Sequence, residues 1–162
     1  MKVEDGYFLE KKVGALLMHA YPKAYVAPNS RTIGTKLGAT KPDLVFGWRG
    51  QARRVFIELT TSSYPGNEHK RIQRDRLMLY AETHPNHEAL IFYLQNLAAL
   101  SGIIPSFTIL EELARGKVST KIAQGEIDDI ARYSRIPYYA HSRDVKWDDL
   151  YLAAKANITP RG

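Results

Sequence analysis

Two acidic residues stand in stretches that read as β-strands. Asp43 follows Pro42 at the head of Asp43-Leu-Val-Phe-Gly-Trp48, and Glu58 sits inside Val55-Phe-Ile-Glu-Leu-Thr60. Both stretches are rich in β-branched and aromatic residues, and the polar RGQARR between them has the length of a hairpin connection. This predicts an antiparallel pair in which Asp43 and Glu58 can converge. A carboxylate inside an apolar strand must be paired, coordinated or turned to solvent to escape its desolvation cost. Taken alone, Glu58 also fits a solvent-facing group paired with Arg53 or Arg54, and Asp43 also fits a Pro-Asp turn. Taken together, with the backbone carbonyl of Leu59 nearby, they form a hard-oxygen donor set for Mg²⁺, with Mn²⁺ as a substitute. An ion held there would polarise a phosphodiester and lower the pKa of an attacking water.

The elements that must hold these residues are legible on either side. From Glu4 to Tyr21, Phe8, Leu9, Val13, Leu16, Leu17 and Ala20 recur at helical spacing and stop before Pro22, with Glu10 and Lys11 off the strongest apolar stripe. Residues 24–40 mix short β-prone pieces with Gly34, Gly38 and Pro28, which suggests an early strand and a glycine-bearing loop. After Tyr64-Pro65-Gly66, residues 67–83 lack Gly and Pro and carry Ile72, Leu79 and Tyr80 at helical spacing. Glu88 to Leu94 (EALIFYL) reads as a central strand buried on both faces. The order is therefore α-β-β-β-α-β, an α/β fold. Beyond Gln95, residues 107–115, 122–133 and 144–156 read as helices and Pro137-Tyr-Tyr-Ala140 as a short strand. The expectation is one domain over 1–162, with a core at 1–95 and a mainly helical extension at 96–162.

Composition narrows the chemistry. The 162 residues contain no cysteine, so thiolate metal sites, redox dithiols and disulfides are excluded and any metal must take oxygen or nitrogen ligands. No uninterrupted apolar run reads as a signal peptide or membrane span, which points to an intracellular, cytoplasmic protein with no membrane partner. Twenty-three Lys and Arg against 17 Asp and Glu give a net charge of +6, which permits attraction to a polyanion such as DNA. No glycine segment matches a phosphate loop and no serine lies in a nucleophile elbow. His84 and His87 read as loop residues.

Pro42-Asp43 and Glu58, in this order and ahead of a helix, resemble the PD-(D/E)xK nuclease superfamily of restriction-type endonucleases and Holliday-junction resolvases. The resemblance covers residues 4–95. It implies an αβββαβ core with a mixed central sheet flanked by helices, Mg²⁺ at Asp43 and Glu58, and a metal-dependent endonuclease acting on duplex or branched DNA. Thr60 stands where the family has its catalytic lysine, a group that positions the water and offsets charge in the transition state. Lys70, in the first turn of the following helix, is the leading substitute, ahead of Lys36 and Lys41. The family's habit of using an acid from the first helix points to Glu10, with Glu4 as the competing choice. Arg76 and Tyr80 are weakly similar to a Gln-x-x-x-Tyr pattern carried by some branches on this helix. Arg71, Arg74 and Arg76, with Lys36 and Lys41, are candidate phosphate contacts, and the arginines also fit a plain solvated face. Cutting two strands would call for a homodimer. The alternative implied by Thr60 is a nuclease-like fold that has lost catalysis and serves as a DNA-binding or assembly subunit.

Overall fold

The computed structural model describes residues 3–60, 68–93, 100–133 and 147–161. Helix α1 (Val3–Ala20) leads into strand β1 (Ala24–Pro28), a small hairpin of β2 (Ile33–Thr35) and β3 (Gly38–Thr40), and strands β4 (Leu44–Trp48) and β5 (Val55–Thr60). Helix α2 (Glu68–Thr83), strand β6 (Ala89–Tyr93) and helices α3 (Leu100–Ala114), α4 (Thr120–Tyr133) and α5 (Trp147–Ala156) follow. The expected strand at Pro137–Ala140 lies outside the described residues, as does residue 94 at the end of the EALIFYL stretch. The loop foreseen within residues 24–40 is itself a hairpin, separate from the main sheet.

The main sheet runs β1-β4-β5-β6. β1 pairs with β4 and β4 with β5 in antiparallel fashion, while β6 runs parallel to β5. The strands form because their residues alternate between two buried sides. Leu44, Phe46, Val55, Ile57, Leu59, Leu90 and Phe92 pack against Val13, Leu16 and Leu17 of α1 and against α3, α4 and α5. Val45, Phe56, Ala89 and Ile91 face the other way, onto Leu77 and Ala81 of α2 and Ile33 of β2. The helical tail is thus part of the same packed cluster as α1 and the sheet.

Strand β6 is buried on both faces as expected, and among the described strands it lies at the end of the sheet, beside β5. The side of β6 away from β5 receives a side chain from α4. Gln124, almost wholly buried, accepts a hydrogen bond from the Ile91 backbone N–H at 2.8 Å through its Oε1. Its Nε2 donates to Asp128 at 3.0 Å, and Asp128 in turn pairs with Arg74 of α2. An edge strand with free backbone groups must be covered or capped in this way. Gln124→Leu strands the Ile91 N–H and is expected to lower stability by about 2 kcal/mol. Thermal denaturation should then show a midpoint about 4–8 °C below wild type.

Candidate active site

Asp43 is fixed from both sides by backbone. Its N–H donates to Ile57 O at 3.0 Å and its carbonyl accepts from the Asn29 N–H at 2.9 Å, extending the sheet ladder one residue past β4. Asn29 also donates through Nδ2 to Pro42 O at 2.8 Å. The sequence reading passed over Asn29, although its place in Pro28-Asn29-Ser30 is a turn-forming signal. The Asp43 side chain then turns back on β5, and Oδ2 accepts the Leu59 N–H at 2.9 Å. In a ladder a residue's N–H and C=O point to the same neighbour, so the Leu59 carbonyl is directed toward Asp43 as well.

Glu58 alternates with Phe56 on β5 and therefore faces the α2 side of the sheet. It is only 4 % exposed. The solvent-facing alternative, with Arg53 or Arg54 as partner, does not hold. Arg53 instead pairs with Glu88 at 3.3 Å and donates to Leu113 O, and the cation nearest Glu58 is Lys70, with Nζ 4.0 Å from Oε1. Burial pushes the Glu58 carboxyl up to about 9; a hydrogen bond to Asp43 and the charge of Asp43 add to it, and Lys70 opposes it. Burial and the hydrogen bond to Asp43 thus both favour the protonated form of Glu58.

Helices on opposite faces of the sheet reach this strand end together. From α2 comes Lys70, in the first turn where the sequence placed it. From α1 comes Glu10, one helical step before the buried Val13 and Leu17, and so in line with part of the buried stripe and not clear of it. Burial raises the Glu10 pKa, the charge of Asp43 raises it further, and Lys41 offsets part of the rise. Glu10, Asp43, Glu58, Lys41 and Lys70 thus form one electrostatic group. The side chain of Glu4 lies outside the described residues. Thr60 is buried on the same side of β5 as Glu58.

The remaining candidates are dispersed. Lys36 is exposed in the β2–β3 turn. Arg76 donates to the carbonyls of Leu37 (3.0 Å) and Ala39 (2.7 Å), tying that hairpin to α2. It lies so close over Gly38, whose φ is +117°, that a Cβ there would meet the guanidinium at 2.7 Å. Arg74 is held by Asp128, and Arg71 bridges Glu68 and Asp75 along α2. Tyr80 packs edge-on against Phe56 and stacks on His84 at 4.2 Å. On α2 the arginine-rich face is thus largely engaged in contacts within the protein.

Among the described residues no three acidic or imidazole groups converge as a ready metal cage. The residues that could hold a divalent cation are instead Asp43 and Glu58, with the Leu59 carbonyl as a further oxygen expected on that side of β5. Two neighbouring carboxyl groups ionise together more readily when positive charge is added.

Fold and site together define an α/β protein with a mixed sheet flanked by helices, carrying a buried glutamate beside a half-buried aspartate and a lysine at one end of strands β4 and β5. The sequence matches no protein-family model and no curated protein. No described helix is long and apolar enough to cross a membrane.

Proposed function

We propose that this protein is a metal-dependent endonuclease of the PD-(D/E)xK type, hydrolysing phosphodiester bonds in DNA, with Lys70 replacing the motif lysine that Thr60 displaces. The observation that carries this reading is the meeting of Asp43, Glu58 and Lys70 at one strand end. The element order supports it: with the β2–β3 hairpin set aside, α1-β1-β4-β5-α2-β6 matches the αβββαβ order of the superfamily.

Asp43, Glu58 and Leu59 O would hold the divalent ion, with Glu10 tuning the charge around them. When bound, the ion supplies Lewis-acid polarisation of the phosphate and a more acidic water. The chain's own residues do the rest. The Leu59 N–H and the strand ladder fix the direction of the Asp43 carboxyl, which also hydrogen-bonds Glu58. Lys70 Nζ, 4.0 Å from Glu58 Oε1, would donate to the attacking water or a non-bridging phosphate oxygen and offset charge that grows in the transition state. The apolar walls of β4 and β5 keep the field of these groups unscreened.

The test is cleavage of linear, branched and single-stranded DNA in Mg²⁺, Mn²⁺ or EDTA by wild type and Lys70→Met. The expected outcome is cutting only with metal and a loss of roughly 10²-fold in kcat for the variant, with the thermal midpoint of wild type raised by Mg²⁺ as an independent sign of binding. Full activity in Lys70→Met would remove the lysine from the reaction. DNA binding without cutting in any metal would favour the second reading, an inactive DNA-binding subunit, to which the buried Thr60 at the lysine's place lends support.

A further inference from the structure

On the sheet face that carries Glu58, strands β1 and β4 border an open groove of about 500 Å³. Its floor is made by Tyr25, Val45, Gly47 and Phe56, and its rim by the loop after β1 and the β4–β5 hairpin. Gly47 leaves its part of the floor without a side chain, and a Cβ there would press within 3.2 Å of the Arg53 carbonyl. Four arginines border the groove and no acidic residue does. Arg53 is committed to Glu88 and Leu113 O. Arg31, Arg49 and Arg54 are exposed and, among the described residues, make no ion pair. Tyr25 is 48 % exposed, unusual for an aromatic ring on a strand beside a packed core.

Unneutralised guanidinium groups around a cleft with an exposed aromatic ring are the parts of a single-stranded nucleic-acid platform: a positive path for the backbone and a face for a base. The groove's volume is that of a small cleft, of a size to seat a flexible unpaired base. Its position also fits. Val45 and Phe56 on the floor lie two residues, about 7 Å, along their strands from Asp43 and Glu58 on the same sheet face. The arginines of α2, by contrast, are engaged with Asp128, Glu68, Asp75 and backbone carbonyls.

We propose that this groove binds an unpaired nucleic-acid strand, with Arg31, Arg49 and Arg54 on its phosphates and a base stacked on Tyr25, leading the strand toward the Asp43–Glu58 pair. The last clause rests on the nuclease reading; the binding itself does not.

The experiment is fluorescence anisotropy of the full chain with a short labelled oligothymidine and with a duplex of equal length, in EDTA over a series of salt concentrations. Wild type is compared with the double variant Arg49→Ala/Arg54→Ala, with Tyr25→Ala and with Tyr25→Phe. The double variant should bind the single strand at least about tenfold more weakly, with a salt slope shallower by about 1.4, the share of two phosphate contacts. Tyr25→Ala should lose about tenfold and Tyr25→Phe should restore it, as stacking requires. Unchanged strand binding in the double variant, or equal loss for strand and duplex with Tyr25→Ala neutral, overturns the proposal. Wild-type cleavage in Mg²⁺, run in parallel, separates the two ideas. Groove-dependent binding without cleavage keeps the groove and removes the nuclease, whereas cleavage indifferent to the arginine variants does the reverse.

Discussion

Asp43→Asn and Glu58→Gln are each expected to abolish the proposed metal-dependent cleavage, with kcat reduced by roughly 10³-fold or more, while the affinity for DNA expected in EDTA stays near that of wild type. The amide variants are the informative ones. Asp43 Oδ2 accepts the Leu59 N–H, and an asparagine oxygen can keep that bond, so the strand end remains built while one negative charge is lost. Alanine at position 43 would also orphan a backbone donor, at about 1–3 kcal/mol, and confuse a loss of chemistry with a loss of structure. Circular dichroism melts of both amide variants provide the control. Cleavage at wild-type rate by the double amide variant would end the nuclease reading, because both carboxyls assigned to the metal would be gone.

Glu58→Gln is also expected to make the metal-free protein more stable, and increasingly so as pH rises. Folded Glu58 titrates near 9 against an ordinary 4.5, so between these values the folded state binds more protons than the unfolded one. Stability therefore falls as pH rises through this window. Below about 4.5 the carboxyl is protonated in both states and imposes no penalty; above about 9 the penalty is complete. Glutamine is neutral throughout and keeps a donor for Asp43, so it escapes the loss. The variant should exceed wild type by on the order of 3 kcal/mol at pH 9, or about 6–12 °C in thermal midpoint, and by little at pH 4.5. Glu10 and Glu88, whose pKa values are also raised by burial, push both proteins in the same direction, so the difference isolates Glu58. A wild type that outlasts the variant at pH 8–9 without metal would mean that Glu58 is ionised and satisfied in the fold. The protonated form of Glu58 would then have to be withdrawn.

These two expectations describe one arrangement. The protein spends stability to keep two acids together at a buried strand end, and Lys70 relieves that repulsion only in part. Strain of this kind belongs to sites that await a charged ligand. The basic groove one step along the same strands extends this picture from the chemistry to what is brought to it.

Much of the fold was legible in the residues because it depends on local periodicity. The helical spacing of Val13, Leu16, Leu17 and Ala20, the alternation in β4 and β5, and the compact apolar run of β6 each report which sides are buried. So do the types and order of Asp43 and Glu58, and the place of Lys70 in the first turn of α2. What the tertiary structure alone decided is which long side chains meet. Arg53 choosing Glu88 and leaving Glu58 to Lys70, Arg74 closing the Gln124–Asp128 cap on β6, Arg76 clasping the β2–β3 hairpin, and Glu10 arriving beside Asp43 all join residues remote in the chain. The position of β6 at the end of the described strands belongs to the same class, since an apolar run reads alike whether a strand or a helix covers its edge. Periodicity specifies a face; a flexible arginine, lysine or glutamate takes its partner only when packing of the apolar faces has brought distant elements together and removed the water that would otherwise satisfy it.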